Sequence, residues 1–333
     1  MNLAALCIYL TAANMIDAQT LQVGKLVAFM EYLFHAMFSV MLFCMVFMLY
    51  PRASISAKRI MAVLNTETSI ENHPGNAQTD SGSGEHSVIF EHVDFVYPDG
   101  EEAVLKDISF SAKSGETVAF IGSTGSGKSS LIQLIPRFYD RASGNIYIDG
   151  QKIEDLDINA LRSKIGFVPQ KAHLFSGTIE ENIRFGKPDA TMDEIIHAAK
   201  IAQAYDFIME KPHQFQEQIV EGATNVSGGQ KQRLSIARAL IRKPEIYIYD
   251  DSFSALDFKT DARLRKALKP EIKNAIVFLV AQRVSTILDA DKIVVLDEGK
   301  IAGIGTHREL LASCPIYYEI AASQLSKEEL TYA

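Results

Sequence analysis

Thr117-Val-Ala-Phe-Ile-Gly-Ser-Thr-Gly-Ser-Gly-Lys-Ser-Ser130 runs from an apolar segment of strand character through a glycine-rich loop into a helix. Its centre, Gly122 to Ser129, satisfies GxxxxGK[ST] in full. Glycines at 122, 125 and 127 let the loop wind tightly, so that backbone N–H groups around Ser123, Thr124 and Ser126 converge on an anion. The helix expected from Ser130 onward aims its positive end at the same anion. In such a loop Lys128 reaches the β and γ phosphates of a nucleotide, and the Ser129 hydroxyl is a ligand for Mg2+.

A phosphate loop of this kind requires a metal-binding carboxylate at the end of a nearby strand. Ile246-Tyr-Ile-Tyr-Asp250-Asp251 supplies one, with four strand-forming residues followed by two acids, and Asp250 is assigned to Mg2+. Around these motifs short apolar runs alternate with helical patterns: SVIF from Ser87, TVAFIG, IYIYD, IVFLVA and KIVVLD. The alternation predicts an α/β domain with a mostly parallel sheet covered by helices. From about Lys171 to Arg242 the pattern is mainly helical, which predicts a helical insertion.

The N-terminal part reads differently. Leu26 to Tyr50, LVAFMEYLFHAMFSVMLFCMVFMLY, carries only Glu31 and His35 as ionisable interruptions and is long enough to cross a bilayer as a helix. A weaker apolar stretch, Leu3 to about Ala13, precedes it across a polar turn expected at Asn14 to Gln22. Arg52, Lys58 and Arg59 follow the long span and only Lys25 precedes it, which places the C-terminal side in the cytoplasm. Glu31 and His35 lie one helical turn apart and admit two readings, a face on a translocation cavity or a position near the outer interface. Residues 51–70 read as a helical extension, and the Gly-, Ser- and Asn-rich stretch 71–86 as a linker.

Totals exclude some classes. Lys and Arg number 33 against 41 Asp and Glu, a net charge of -8, so no broad cationic surface is available and no nucleic acid partner is expected. Cys7, Cys44 and Cys314 are odd in number and far apart, without a disulfide or zinc pattern.

Val226-Ser227-Gly228-Gly229-Gln230, followed by KQRLSIARAL, resembles the signature motif of the ATP-binding-cassette (ABC) ATPases, with Val in place of the usual Leu. Ser227 and the N–H groups of Gly228 and Gly229 open a helix and form a second anion site. The resemblance covers Ser87 to about Ala322. It implies a P-loop NTPase fold: a RecA-like core, an antiparallel β subdomain and a helical signature subdomain, preceded by transmembrane helix. It further implies that the signature binds the γ-phosphate of ATP held by an opposing subunit, that Tyr97 in DFVYP stacks on adenine, and that Gln170 in FVPQ touches Mg2+. Ser254-Ala255-Leu256-Asp257 matches the loop crossing the dimer interface, and Glu221 in VEGATN the exporter-type loop, with Ala223 where exporters usually have Gly. Residues 1–70 then resemble the end of an exporter membrane domain, 87–325 the nucleotide-binding domain and 326–333 a tail. Such a chain is expected to be an N-terminally truncated half-transporter in the plasma membrane.

Two positions depart from the family on the hydrolytic machinery. Asp251 stands where the general base is normally Glu, and Gln282 in AQRVSTI where the switch residue is normally His. A base one methylene shorter is misplaced for the attacking water. Gln carries neither a proton nor a positive charge towards the γ-phosphate. The pair resembles the degenerate subunit of heterodimeric multidrug-type exporters, whose partner is a second half-transporter. The expectation is slow hydrolysis at this chain's own site and export of a lipophilic or drug-like small molecule, with a homodimer as the alternative assembly. A soluble or regulatory ABC-type ATPase is the competing function.

Overall fold

The computed structural model describes residues 2–72 and 86–325. Most of the expected linker, at 73–85, and the tail at 326–333 lie outside the described residues. The chain divides into two compact units, Met1–Ser69 and Ile70–Ala333.

The first unit is a pair of helices, α1 (Asn2–Asp17) and α2 (Val23–Leu64). The expected turn at Asn14 to Gln22 is shorter than that: Asn14-Met-Ile-Asp17 contains no Gly or Pro to stop a helix, and α1 continues through it. At 1.5 Å per residue the 42 residues of α2 reach about 63 Å, roughly twice the 30 Å hydrocarbon core of a bilayer. One rod therefore contains both the apolar span and the polar extension, running through Pro51, which offers no N–H to the Phe47 carbonyl. No residue of α2 is buried, and α2 is long and apolar enough to cross a membrane. On it His35 Nδ1 lies 2.8 Å from the Glu31 carbonyl and 3.8 Å from its carboxylate, both side chains being exposed.

The second unit begins its regular structure with β1 (Ser87–Phe95), β2 (Leu105–Lys113) and β3 (Thr117–Gly122), then α3 (Lys128–Leu134). There follow β4 (Ser143–Ile148), β5 (Gln151–Lys152), α4 (Ile158–Ser163) and β6 (Ile165–Val168). The predominantly helical stretch comprises β7 (Gly177–Thr178), α5 (Ile179–Arg184), α6 (Met192–Ile201), α7 (Tyr205–Met209), β8 (Gln218–Ile219) and α8 (Gly228–Leu240). The chain then returns through β9 (Ile246–Asp250), α9 (Phe258–Glu271), β10 (Ile276–Val280) and α10 (Val284–Ile287). It ends in β11 (Lys292–Asp297), β12 (Lys300–Gly305), α11 (His307–Ser313) and α12 (Pro315–Gln324).

The main sheet has the order β12-β11-β3-β10-β9-β6 and is parallel except for β12. Alternate side chains of each inner strand enter different cores. Tyr247 and Tyr249 of β9 pack with the helical part, whereas Ile246 and Ile248 pack with the antiparallel sheet. Burial on both faces is why these strands read as unbroken apolar runs. SVIF, expected beside them, belongs instead to the antiparallel sheet β2-β1-β4-β5. A four-residue apolar run does not reveal its partner. Phe110 of that sheet meets Phe120 and Phe278 edge-on at 5.5 and 6.3 Å, which joins the two sheets through aromatic packing.

An ion cluster closes the edge where the chain enters this unit. Lys164 Nζ lies 2.6 Å from Asp149 and 3.0 Å from Glu245, and His86 Nδ1 lies 3.4 and 3.3 Å from the same two carboxylates. Burial opposes the charge on Asp149 but is outweighed by hydrogen bonds from Lys164 and the Ser87 N–H, so its carboxyl sits below the ordinary 3.8. Burial likewise opposes the Lys164 ammonium, and the two carboxylates outweigh it and raise its pKa.

A depressed carboxylate contributes stability above about pH 4 that is lost as pH falls through the folded value, whereas the raised lysine contributes up to high pH. Lys164→Met leaves two neighbouring carboxylates half-buried without their cation. Its melting temperature is expected to fall by about 5 °C at pH 7 and to recover as pH drops towards 5, the reverse of the parent's acid trend. Melting curves between pH 4 and 8 check this, and a variant with the parent's pH profile would show that the cluster contributes nothing.

Candidate functional site

Parallel register brings the motifs to one edge. Val280 of β10 pairs with Phe120 of β3 on one side and with Asp250 of β9 on the other. The residues next in line, Gly122, Gln282 and Asp251, therefore leave the sheet together at the carboxyl ends of three adjacent strands, where open α/β sheets bind ligands. Gly122 is held against the neighbouring strand: a Cβ there would stand 2.0 Å from the Leu296 carbonyl oxygen, at φ +154°. Only glycine fits.

The loop that follows ends in α3, which starts at Lys128 rather than at Ser130, because Gly127 at φ 96° makes the turn into the helix two residues earlier. The Leu131 N–H accordingly donates to the Gly127 carbonyl at 2.9 Å. Lys128 Nζ donates to the carbonyls of Gly122 (3.0 Å) and Ser123 (2.7 Å) and to Ser126 Oγ (3.2 Å). Its ammonium is thus stored inside the loop. Burial holds its pKa below the usual lysine value, against the attraction of Asp251 and Asp250. A Cβ at Gly125 would meet nothing within 4 Å, so the loop's mouth is open.

Ser129 Oγ donates to Asp250 Oδ1 at 2.9 Å, across the gap between helix and sheet. Burial pushes the Asp250 carboxyl above its ordinary value, with Asp251 adding repulsion and Ser129 opposing it. Hydroxyl and carboxylate oxygens in this relation are hard donors suited to Mg2+, which would remove the penalty on the carboxylate. Asp251 stands in the left-handed region at φ 46°, and its Oδ2 accepts from Gln282 Nε2 at 2.7 Å and from Gln170 Nε2 at 3.3 Å. Burial raises its pKa too. Gln170, Asp251 and Gln282 therefore form one hydrogen-bonded group beside the Ser129–Asp250 pair.

Tyr97 lies just beyond β1, edge-on to Phe95 (4.8 Å) and Tyr139 (5.1 Å), with its hydroxyl 2.8 Å from Ser130 Oγ. Ser130 thus serves the aromatic ring. The residues Ser227, Gly228, Gly229 and Gln230 form a separate constellation. Ser227 Oγ accepts from the Gln230 N–H while Gln230 Oε1 accepts from the Ser227 N–H, a reciprocal cap that leaves the Ser227 O–H free to donate. A Cβ on Gly228 would meet nothing within 4 Å, and one on Gly229 would stand 3.2 Å from the Ala255 carbonyl, so the signature borders Ser254–Asp257. Ala223 keeps a left-handed φ of 54°, the conformation that the family's glycine would supply without strain.

Two contributors, Ser252 and Gln232, were not evident in the sequence, and Ser254 was marked there only as part of the loop matching the dimer interface. Ser252, fully buried, donates to the Val168 carbonyl at 2.8 Å; Ser254 Oγ donates to the Asp251 carbonyl at 2.8 Å. Gln232, on the buried face of α8, donates to the Pro169 carbonyl at 3.0 Å and ties the signature helix to the residue before Gln170. Flanked by Lys231 and Arg233, Gln232 gives no sequence signal of its burial.

Fold and site together define a P-loop NTPase fold of the ABC type. A family model described as ABC transporter matches residues 105–254. The uncharacterized ABC transporter ATP-binding protein YfiB of Bacillus subtilis is 43% identical over 328 residues, covering 98% of this chain and 56% of that protein. A Staphylococcus aureus protein with "multidrug export ATP-binding/permease protein" in its name is 48% identical over 237 residues, 71% of this chain and 41% of its own length. Among solved structures, a bacterial Atm1-family ABC exporter with ATP bound superposes with a TM-score of 0.81 at 32% identity, covering 97% of this chain and 58% of that one. The chain carries the ATP-binding domain of an ABC transporter. It spans about half the length of the curated relatives it matches.

Lys128→Met removes the ammonium stored inside the loop, and Gly122→Ala forces the loop away from Leu296. Each is expected to weaken MgATP binding by about 100-fold, the worth of one charge-assisted hydrogen bond to a phosphate in a half-buried site. Titration with a fluorescent ATP analogue reads this. Affinity within threefold of the parent in both variants would place the nucleotide elsewhere.

Proposed function

We propose that the chain is the ATP-binding part of a membrane ABC exporter subunit whose own P-loop binds MgATP and hydrolyses it slowly. One observation carries the reading: Asp251 Oδ2 is occupied by two side-chain amides, from Gln282 and Gln170, neither of which takes up a proton. A general base must accept a proton from an ordered water. This carboxylate is instead shorter than glutamate, held back by two donors, and faces a switch residue with no charge to offer the phosphate.

The remaining residues fit binding. Lys128 and the loop N–H groups take the terminal phosphates, Ser130 and Tyr139 brace Tyr97 against the adenine, and Ser129, Asp250 and Gln170 hold Mg2+. Mg2+, when bound by these residues, would neutralise charge on the phosphates. Ser227 to Gln230, with Gly228 open and the Ser227 O–H free, completes the site of a second half-transporter that carries Glu and His. A heterodimer is therefore favoured, with a homodimer as the other assembly. The long apolar α2 supports a plasma-membrane location with the ATP-binding unit in the cytoplasm, and the multidrug-export relative supports a lipophilic or drug-like substrate.

Purified with its partner subunit, the complex should lose its ATPase activity when the partner's glutamate is replaced. Full activity after that replacement refutes the assignment of the slow site. In this chain, Asp251→Glu with Gln282→His together should raise hydrolysis at the Lys128 site by about 100-fold, and each alone by much less, because base and switch act as a unit. Single-turnover hydrolysis measures it; a double variant as slow as the parent would show that something other than these two side chains limits the step.

A further inference from the structure

We propose that Gln324, the last residue of α12, is a positioning residue for the switch: its amide clamps the backbone on both sides of Arg283 and so sets where Gln282 delivers its own amide. Gln324 Nε2 donates to the Gln282 carbonyl at 2.9 Å, and its Oε1 accepts from the Val284 N–H at 2.8 Å. The two bonds engage one carbonyl and one N–H two residues apart, as a neighbouring strand would. They also orient the amide, since a flip would set oxygen against oxygen and nitrogen against N–H.

The loop needs such a partner. It connects β10 to α10, and Arg283 at the N-cap position of α10 makes no side-chain capping bond. The Val284 N–H is one of the orphan donors of a helix start, and it finds its acceptor on a residue 40 positions away. Gln282 stands immediately before this start, with its side chain 2.7 Å from Asp251. A shift of the backbone between Ala281 and Val284 therefore moves the switch amide directly.

α12 is built to hold the clamp still. Tyr317 and Ala321 are fully buried, and Gln324 follows them at i+7 and i+3 on the same helical face. The Tyr317 hydroxyl lies 2.6 Å from His307 Nδ1, which ties α12 to α11. Packing thus fixes the helix axis, and the exposed amide at its end transmits that position to the catalytic edge of the sheet. The inference rests on the reading of Gln282 as the residue that meets the γ-phosphate.

The test uses the full chain with its partner subunit in lipid nanodiscs, with Gln324→Ala, Gln324→Glu and Gln282→Ala. Hydrogen exchange at the Val284 amide and the dissociation rate of MgATP from the Lys128 site are read in each. Gln324→Ala should abolish protection of Val284 and speed dissociation by about fivefold, the worth of about one neutral hydrogen bond, with the melting temperature lowered by no more than about 4 °C. Gln324→Glu keeps an acceptor for Val284 but loses the donor to the Gln282 carbonyl, so protection should persist while dissociation still quickens. Unchanged Val284 exchange in Gln324→Ala overturns the proposal. So does unchanged dissociation in Gln324→Ala when Gln282→Ala accelerates it. If Gln282→Ala itself has no effect on dissociation, the phosphate-contact reading of Gln282 fails, and the positioning role falls with it.

Discussion

The pairing of β3, β10 and β9 in parallel, with Phe120, Val280 and Asp250 in one row, is the constraint from which the site follows. Each strand ends within two residues of that row, so a phosphate loop, a switch and two carboxylates are delivered to one edge without any of their loops being long. The cost is burial of charge: Lys128, Asp250 and Asp251 all have pKa values displaced towards their neutral forms by desolvation. On the proposed function, the charges of MgATP would replace that missing hydration.

Internal partners keep that cluster ordered. Lys128 donates to the loop's own carbonyls, Ser129 to Asp250, and Gln170 with Gln282 to Asp251. The same bonds explain why the pair Asp251 and Gln282 belong together. The Gln282 amide donates directly to the Asp251 carboxylate, so the two departures are in contact with each other.

Two glutamine amides tie elements of the ATP-binding unit that are distant in sequence. Gln232 links α8, which opens at the signature, to Pro169 beside Gln170, and Gln324 links α12 to the switch loop. Both bridge elements far apart in sequence by bonding to backbone carbonyls. A side chain that holds main chain in this way tolerates changes in neighbouring side chains but not a change in its own length or donor pattern.

The sequence by itself determined the phosphate loop, the two carboxylates at the end of β9, the signature cap at Ser227 and the long apolar helix, because each depends on residues adjacent along the chain. It also marked Asp251 and Gln282 as departures. What tertiary structure decided is everything set by strand register and by contacts across the chain. Such register put SVIF in the antiparallel sheet, moved the start of α3 to Lys128 through the conformation of Gly127, and placed Ser130 on Tyr97. Gln282 and Asp251 are 31 positions apart, and Gln324 and Gln282 are 42, so no local pattern announces their hydrogen bonds. Local propensity and spacing fix what a segment can become, whereas side-chain amides find their partners only once packing has brought distant backbone within about 3 Å.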